Sequence, residues 1–240
     1  MSVDNYLWKP APTNLTLLQD EVHVWRIDLD RTEAELKELA TTLASDEVCR
    51  AKRFYKEQHR QRFIAGRGIL RTILGRYLGI EPQQLRFEYE PLGKPILTDK
   101  FGDNRQLCFN LTHSLGLALC VVSSDRPVGI DLEYIRPVSD VLNLANRFFS
   151  EKEYAVLSSV PPHQIQQLFF RYWTCKEAYL KATGSGISQL EQIEVAIAPG
   201  QPATLHTQEP WSLIELSPDS DTVAAVVVQG SVSQLNYWMY

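Results

Sequence analysis

Two stretches of this chain repeat the same succession of sequence signals, and this repetition restricts the possible folds more than any other feature. Ser45 to Gly79 and Ser150 to Gly184 each contain a short and then a long helical pattern, and each ends at a glycine. A shift of 105 positions also places the strand pattern Leu107–Leu111 on Ser212–Leu216. Few residues are identical, so chance agreement of two α+β segments is the alternative. The almost complete repetition in the order of elements favours an internal duplication.

A duplicated unit predicts an α+β fold of two similar lobes that are related by a pseudo-twofold axis. Each lobe is expected to hold a small antiparallel sheet packed with a long helix, with residues 1–124 in the N-terminal lobe and 125–240 in the C-terminal lobe. The hydrophobic share of 44% is ordinary for a globular chain and excludes a disordered or fibrous protein. Because ligands commonly bind where two lobes meet, we expect the active site at the lobe interface.

Apolar residues at a period of two predict strands, and apolar residues at helical spacing predict two long helices. The predicted strands are Val22–Leu29, Leu85–Tyr89, Leu107–Leu111, Leu117–Val122, Val128–Tyr134, Ile193–Ile197, Trp211–Leu216 and Val223–Val228. The long helices are predicted through Phe63–Tyr77 and roughly over His163–Thr183. Thr32 with Glu35, and Ser150 with Glu153, are capping boxes that predict the starts of two further helices.

The charge of the chain is unevenly distributed. The total is −5, from 24 basic and 29 acidic residues, which argues against a dedicated nucleic-acid-binding protein. Between Arg50 and Arg76, however, nine basic residues accompany one acidic residue, so this segment carries +8. The segment lacks the interleaved aromatic residues of a single-strand-binding surface. A solvated helical face and a surface for a phosphate-bearing ligand both remain open interpretations.

Signals for secretion or membrane insertion are missing from the sequence. The first residues lack a basic stretch followed by an apolar one, and the apolar runs are far shorter than the ~20 residues of a membrane helix. The cysteines lie among apolar residues without zinc-type spacing, which indicates buried free thiols: Cys49, Cys108, Cys120 and Cys175. We therefore expect a cytoplasmic protein without a membrane or nucleic-acid partner.

The strand Val128–Tyr134 carries the strongest chemical signal. Asp131 and Glu133 are two positions apart and so share one face of the strand, where two carboxylates need a cation, a proton or a basic partner. A solvent-facing side of the strand is the simpler interpretation. On the second long helix, Glu177 and Lys181 are one turn apart. They fit either a surface ion pair, or a third carboxylate of an Mg²⁺-type oxygen site beside a phosphate-binding lysine.

Two motifs in the first half contain candidate phosphate ligands. His113 stands between Thr112 and Ser114, just after a predicted strand, where an imidazole can donate to a phosphate or transfer a proton. Lys94 lies in a turn made rigid by the Gly-Lys-Pro sequence. Taken alone, a loop histidine is more often merely solvated, and a lysine in a rigid turn is a weak signal.

Taken in order, these motifs form a specific pattern. They are Gly-Lys-Pro at 93–95, Asn-Leu-Thr-His-Ser at 110–114, Val-Gly-Ile-Asp-Leu-Glu at 128–133 and Trp-Thr-Cys-Lys-Glu-Ala-Tyr-Leu-Lys at 173–181. The pattern resembles the 4′-phosphopantetheinyl transferases of the surfactin-synthetase-associated (Sfp) type, in the subgroup with the W/KEA motif. The resemblance extends over nearly the whole chain. It implies a fused, two-copy form of a smaller trimeric relative, with one active site at the lobe interface and a monomeric state.

The resemblance also implies the roles of individual residues. Asp131, Glu133 and Glu177 match carboxylates that bind Mg²⁺, with Mn²⁺ as the alternative ion. Glu177 also matches the base for the acceptor hydroxyl, directly or through water, and Lys181 and His113 are the other implied catalytic residues. Arg50 lies near a position where the family binds the 3′-phosphate of coenzyme A. The full set of implied coenzyme A contacts is Arg50, Arg62, Arg67, Lys94, Thr112, His113, Lys176 and Lys181.

The implied reaction moves the 4′-phosphopantetheine arm of coenzyme A to a serine of an acyl or peptidyl carrier protein and releases adenosine 3′,5′-bisphosphate. Such enzymes activate carriers of fatty-acid, polyketide or nonribosomal-peptide synthesis, and relatives meet the carrier near residues 184–190 and the second long helix. Two rival hypotheses stay open. One is a hydrolase that acts on coenzyme A without a carrier, and the other is a non-catalytic module that holds coenzyme A or a carrier.

Overall fold

The computed structural model of the protein describes residues 8–97, 100–101, 105–198 and 200–240. The helices are α1 (Glu33–Ala40), α2 (Ser45–Ala51), α3 (Glu57–Leu78), α4 (Val141–Phe148), α5 (Glu151–Ser159) and α6 (Pro162–Thr183). The strands are β1 (Lys9–Pro10), β2 (Glu21–Asp28), β3 (Phe87–Tyr89), β4 (Pro95–Leu97), β5 (Lys100–Phe101), β6 (Arg105–Ser114), β7 (Leu117–Ser124), β8 (Val128–Tyr134), β9 (Glu194–Ala196), β10 (Thr204–His206), β11 (Trp211–Leu216), β12 (Thr222–Gln229) and β13 (Gln234–Met239). Both predicted capping boxes are present, at the starts of α1 and α5.

The first lobe packs α3 against a sheet whose strands follow the order β1-β13-β2-β7-β6-β5. The pairs β2–β7 and β7–β6 are antiparallel, as predicted. Apolar residues at helical spacing along α3, including Ile69 and Ile73, pack on inward side chains of the sheet such as Trp25 and Val122. This burial fixes α3 on the sheet and forms the core of the lobe.

The C-terminal strand β13 belongs to the first lobe, although it follows the second lobe in sequence. It lies between β1 and β2 and pairs with both in parallel orientation. The expected division into residues 1–124 and 125–240 therefore does not hold for β13, and the first sheet is mixed rather than antiparallel. Because Gln234 pairs with Glu21, far away along the chain, no local sequence pattern could signal this contact.

The second lobe packs α6 against the antiparallel sheet β11-β12-β8, and a third apolar cluster joins the two lobes. In β12, Val223, Ala225 and Val227 face the core of the second lobe, whereas the residues between them face the first lobe. The same alternation holds in β7. Burial on both faces explains why these strands are nearly continuous apolar runs. The predicted α+β architecture of two similar lobes is therefore confirmed.

The duplication is visible in the two long helices. α3 and α6 both have 22 residues, and each ends at a glycine in the left-handed conformation, with φ 67° at Gly79 and φ 71° at Gly184. These glycines are 105 positions apart, which is the shift that superposes the strand patterns. A glycine in the left-handed conformation therefore ends the long helix of each lobe.

The repetition extends to one buried ion pair in each lobe. In the first, Arg71 donates to Glu47 at 2.6 Å and to the Leu85 carbonyl at 3.2 Å. In the second, Lys176 stands 105 positions after Arg71 and contacts Glu153 at 2.5 Å. It also donates, at 2.9 Å, to the carbonyl of Leu190, which lies 105 positions after Leu85. Each acid belongs to the first turn of a short helix, so the pair ties the short helix and the following loop to the long helix.

A buried histidine in β2 makes the first lobe sensitive to acid. His23 is 2% exposed, and its Nδ1 lies 2.7 Å from the Tyr77 hydroxyl. Burial lowers the pKa of His23 from 6.5 to about 4, against the opposing effect of Glu21. The unfolded chain binds this proton near pH 6.5 and the folded chain near pH 4. Unfolding therefore takes up a proton between these two pH values.

We expect His23 to lower the free energy of unfolding by about 3 kcal/mol as the pH falls from about 6.5 to about 4. Urea unfolding at about pH 7 and pH 4.5 measures this loss, which should be smaller in the His23→Gln variant. His59→Gln, at an exposed position on α3, is the control and should keep the full loss. Equal losses in the wild type and His23→Gln would contradict the prediction.

Among the described residues, no helix is long and apolar enough to span a membrane. Cys120 and Cys175 are buried, as predicted, and burial raises the pKa of both thiols. Cys108 is half-buried. Cys49 is exposed, so the prediction of a buried thiol is wrong there, because the residue lies on the outward face of α2.

Candidate functional site

The two lobes are joined along a seam, formed by residues 110–114 of β6 and 130–134 of β8. β8 is the edge of the second sheet, so its outer backbone groups need partners. The Asn110 Oδ1 accepts from the Ile130 N–H at 3.0 Å, and the Ser114 Oγ accepts from the Tyr134 N–H at 3.3 Å. The motif at 110–114 was predicted to follow a strand, but it is the end of β6 itself, and every second residue of it faces β8.

Asp131 lies in the middle of the seam and contacts α6. Its Oδ1 accepts from Lys181 Nζ at 2.6 Å and from Thr112 Oγ1 at 3.2 Å. Lys181 also donates to the Ile130 carbonyl at 3.3 Å, so this lysine ties α6 to both strands of the seam. The Oδ2 of Asp131 is buried and has no hydrogen-bond partner among the described residues. One carboxylate oxygen is therefore available to a further ligand.

Two more carboxylates border Asp131. Glu177 lies on α6 one turn before Lys181, and Glu133 follows Asp131 on the same face of β8. Burial raises the pKa of Glu177, the charge of Asp131 raises it further, Lys181 opposes the shift, and Glu133 adds a smaller increase. Glu133 is more exposed, and its Oε2 lies 3.1 Å from Arg136 Nη1. The three carboxylates thus share one electrostatic environment with the Lys181 ammonium.

The seam meets part of the requirement for a divalent cation. In the described part of the chain, no three acidic, histidine or cysteine side chains stand in the arrangement of a preformed metal site. Mg²⁺, however, is usually held by one or two carboxylates and completes its shell with water and phosphate oxygens. The unpaired Oδ2 of Asp131 fits such an ion, and so does the pKa of Glu177, which is raised first by burial and then by the charge of Asp131, because a cation stabilises both carboxylates.

Gly129 lets α6 approach β8 closely enough for Lys181 to reach Asp131. A Cβ atom at position 129 would overlap the Ala178 carbonyl oxygen and the Ala182 nitrogen of the helix backbone. A glycine inside a strand marks such a close approach of two backbones. The glycine of the Val-Gly-Ile-Asp motif is thus required by packing rather than by chemistry.

We expect Gly129→Ala to destabilise the protein by about 1–3 kcal/mol and to lower its activity about tenfold or more, because α6 must shift away from β8. Thermal unfolding and a rate assay measure the two effects. Gly66→Ala on α3 is the control, since its Cβ would meet Leu29 Cδ2 at an ordinary 3.4 Å. Unchanged stability and rate in Gly129→Ala would contradict the close approach.

His113 and Arg62 lie on the positive side of the site. His113 is exposed, and its pKa is lowered, first by the partial burial of the ring and then by the charges of Lys181 and Arg62. Arg62, on α3, makes a bidentate pair with Asp30 at 2.7 and 2.8 Å. At neutral pH the imidazole is therefore uncharged and can act as both hydrogen-bond donor and acceptor.

Lys94 connects the lobes through backbone carbonyls. Its Nζ donates to the Lys181 carbonyl at 2.6 Å and to the Val128 carbonyl at 3.3 Å. Burial lowers the pKa of Lys94, against the opposing charge of Glu90. The resemblance implies a coenzyme contact here, whereas the structure gives the amino group partners at the end of α6 and the start of β8.

Two other implied coenzyme contacts lie in the cores of the lobes. Lys176 is 0% exposed and pairs with Glu153, so direct contact with a ligand in the cleft is wrong for this residue. Successive residues of a helix point about 100° apart. Since Glu177 faces the seam, the preceding residue, Lys176, points into the core of the second lobe. Arg67 is 8% exposed with its Nε 3.3 Å from Glu47 Oε1, but its Nη1 is buried without a hydrogen-bond partner among the described residues, so the implied ligand contact stays a prediction there.

Arg50 lies apart from the seam, at a cavity of about 710 Å³ in the first lobe. The lining residues are Asp46, Cys49, Arg50, Arg53, Phe54 and Tyr89. The Arg50 guanidinium lies 5.3 Å from the centre of the Phe63 ring, and Arg50 and Arg53 are exposed. The cavity is therefore basic and aromatic, a chemistry that suits a phosphate and a flat ring.

Three residues at or beside the seam were not singled out from the sequence: Asn110 and Ser114 within it, and Gly129 next to it. Each had a usable signal. Asn110 and Ser114 stand two positions from Thr112, which places all three on one face of a strand. Gly129 lies within an otherwise apolar strand pattern, where a glycine indicates a bulge or a close backbone approach.

Comparison with known proteins matches both halves of the chain. A family model for the 4′-phosphopantetheinyl transferase superfamily matches residues 127–227, and one for the N-terminal part of 4′-phosphopantetheinyl transferases matches residues 28–125. The 4′-phosphopantetheinyl transferase HetI of Nostoc sp. strain PCC 7120 is 59% identical, over 98% of this chain and 99% of the relative. The 4′-phosphopantetheinyl transferase Sfp of Bacillus subtilis strain 168 is 28% identical, over 69% of this chain and 71% of the relative.

Among solved structures, a holo-(acyl-carrier-protein) synthase from Bacillus anthracis in complex with coenzyme A (3′,5′-ADP) aligns with a TM-score of 0.38 and 25% identity. The alignment covers 44% of this chain and 96% of that chain. The family assignment depends instead on the 59% identity over nearly the full length of both sequences and on the two family models. On this evidence the chain belongs to the 4′-phosphopantetheinyl transferases, and to their Sfp type.

Proposed function

We propose that this transferase moves the 4′-phosphopantetheine arm of coenzyme A to a serine hydroxyl of a carrier protein in an Mg²⁺-dependent reaction. The serine oxygen bonds to the phosphorus next to the pantetheine arm, and the pyrophosphate bond breaks to release adenosine 3′,5′-bisphosphate. The observation that carries the proposal is the cluster of Asp131, Glu177 and Lys181 where the two lobes meet. Carboxylates and an ammonium in one partly buried site suit phosphoryl transfer.

Negative charge that develops on the leaving phosphate is the main electrostatic demand of this reaction. Lys181 is 29% exposed at its side chain, so its ammonium can turn from Asp131 to a phosphate oxygen. His113 is proposed to donate a second hydrogen bond from its ring, and the Thr112 hydroxyl a third. β6 and α6 place these donors next to one another before substrate arrives, and Lys181 and Thr112 exchange Asp131 for a phosphate oxygen when it binds.

The proton of the serine hydroxyl needs an acceptor, and we assign this role to Glu177, directly or through water. Its carboxylate lies beside Asp131 and Lys181 where the lobes meet, and this position supports the assignment. Asp131, Glu133 and Glu177 would hold Mg²⁺, which when bound would neutralise charge on the pyrophosphate oxygens. The unpaired Asp131 Oδ2 supports this assignment.

We propose that the nucleotide end of coenzyme A lies towards the cavity beside Arg50. Arg50, Arg53 and Phe54 of the +8 segment line this cavity, and the two exposed arginines can attract the several negative charges of coenzyme A. In this assignment, the first lobe contacts the nucleotide and phosphates, and the second supplies the carboxylates and the carrier surface near residues 184–190. Since one chain supplies both halves of the site, we expect a monomer that acts in the cytoplasm.

The test is mass spectrometry of apo carrier proteins after incubation with the enzyme, coenzyme A and Mg²⁺. The expected result is a gain of the phosphopantetheine mass that is lost when coenzyme A is omitted or EDTA is added. Consumption of coenzyme A without modification of any carrier would indicate a hydrolase and overturn the proposal. Binding of coenzyme A by calorimetry without any turnover would indicate a binding module and also overturn it. A panel of fatty-acid, polyketide and nonribosomal-peptide carriers identifies the preferred pathway.

A further inference from the structure

The turn between β6 and β7 holds a leucine in a strained backbone conformation. Ser114 pairs with Leu117, so the turn consists of Leu115 and Gly116. The positive φ, 53°, is at Leu115 and not at the glycine. A two-residue hairpin turn with this pattern normally has glycine at its first position, because a branched side chain with positive φ costs about 1–2 kcal/mol. The fold would be more stable with glycine at position 115.

The neighbouring glycine is required for a separate reason and does not relieve this strain. A Cβ at Gly116 would lie 2.7 Å from Asp30 Oδ2 and 3.2 Å from Arg62 Nη2. The Gly116 carbonyl also accepts from the Leu29 N–H at 2.8 Å, which fixes the turn on the end of β2. Asp125 also has a positive φ, 56°, but aspartate adopts this conformation more readily than leucine does.

Leu115 carries a second cost, because it exposes an apolar side chain. It is 62% exposed, and therefore contributes little to the core of either lobe. Two unfavourable features without a gain in packing indicate that the side chain is retained for contact with a ligand or partner.

The position of Leu115 in the site indicates which partner it meets. Along the seam, the exposed side-chain fraction rises from 8% at Asp131 to 25% at Glu133, and Leu115 follows at 62%. Of the proposed phosphate donors, Thr112 lies at the inner end of this gradient, whereas the Lys181 side chain is 29% exposed. Ser114 Oγ lies 3.5 Å from Glu133 Oε2, so Leu115 is the next residue along the chain after the proposed carboxylate site, and its exposed side chain is accessible to a macromolecular acceptor.

We propose that Leu115 is a carrier-binding residue that receives an apolar side chain of the carrier protein next to the acceptor serine. This inference rests on the proposed function and deepens it. A protruding, exposed leucine is covered by a folded partner, whereas the phosphates of coenzyme A are contacted by the polar walls of the seam. Contact with the carrier would remove the apolar surface of Leu115 from water and so favour the enzyme–carrier complex.

The test compares Leu115→Gly and Leu115→Asn with the wild type in steady-state transfer to one apo acyl carrier protein and one apo peptidyl carrier domain. Both variants should raise the KM for the carrier about five- to tenfold, with kcat within about twofold. Leu115→Gly should also have an equal or higher Tm, because it removes the strain. Leu18→Asn is the control, since Leu18 is 57% exposed in the turn before the opposite end of β2, and its kinetics should match the wild type.

Calorimetric affinities for coenzyme A and for adenosine 3′,5′-bisphosphate distinguish a contact of Leu115 with the carrier from a contact with the pantetheine arm. Both should stay within about twofold of the wild type in the Leu115 variants. A selective loss of affinity for coenzyme A would show that Leu115 contacts the pantetheine arm. An unchanged KM for both carriers would show that Leu115 contacts neither carrier. Either result overturns the inference while wild-type transfer still supports the proposed function. A wild type that modifies no carrier overturns the proposed function itself, and the inference with it.

Discussion

Replacing Asp131 by Asn is expected to lower the rate of transfer at least about 100-fold while the protein remains folded. The substitution removes the charge at the centre of the seam, and with it the proposed ligand for Mg²⁺. The amide oxygen of Asn can still accept from Lys181 and Thr112, so the contacts between the lobes are retained. We therefore expect a loss of stability of only about 1–2 kcal/mol. Carrier modification followed by mass spectrometry over a series of Mg²⁺ concentrations measures the rate, and thermal unfolding measures the stability.

The duplication provides a matched control for this variant. With a slip of two residues, the sequence Ile-Asp-Leu at 27–29 corresponds to Ile-Asp-Leu at 130–132, so Asp28 is the counterpart of Asp131 in the first lobe. Asp28 is exposed on β2, and Asp28→Asn should leave the rate within about twofold of the wild type. Full activity in a well-folded Asp131→Asn variant would refute the metal assignment.

Replacing Lys176 by Met is expected to destabilise the protein by about 3–5 kcal/mol, with a fall in Tm of about 10 °C. Glu153 would stay buried without its ammonium partner, because its carboxylate also accepts from the Val195 and Ser150 N–H groups and is held in place. A buried, unpaired charge is among the most costly single changes in a folded protein. Urea or thermal unfolding measures the loss.

The double variant Glu153→Gln/Lys176→Met tests the cause, since removing both charges should restore part of the stability. Arg71→Met in the first lobe is the comparison, and its loss should be smaller, because Glu47 keeps Arg67 as a partner at 3.3 Å when Arg71 is removed. At a temperature where Lys176→Met is folded, its KM for coenzyme A should stay within about twofold of the wild type. An unchanged Tm combined with a large increase in that KM would show that Lys176 contacts the coenzyme after all.

Lys176 and Glu177 illustrate how far sequence reasoning extends into the site. Both belong to one motif, both are charged, and nothing in the motif indicates which of them faces the cleft. Helical geometry turns them about 100° apart, but the absolute orientation of α6 depends on the apolar residues that pack on the second sheet. The core around Phe169 and Tyr172 sets this orientation, and it places Lys176 inside and Glu177 at the seam.

β13 and Lys94 illustrate contacts that no local pattern could reveal. β13 has a strand-like sequence, yet its partner β2 lies at the other end of the chain, and only the assembled first sheet offers the position between β1 and β2. Lys94 is in a rigid turn, as its neighbours Gly93 and Pro95 predict, but its amino group binds carbonyls of the other lobe. In both cases the decisive partner is close in space and remote in sequence.

The duplication, the C-terminal ends of both long helices and the shared face of Asp131 and Glu133 could be determined from the sequence alone, whereas α3 begins at Glu57, six residues before the predicted Phe63. These features depend on periodicity, capping and strand alternation, which act over a few neighbouring residues. Only the tertiary structure decided which charged groups meet at the seam and which are buried as ion pairs in the lobes. Their burial and partners depend on how two lobes pack against each other, and local sequence does not encode that packing.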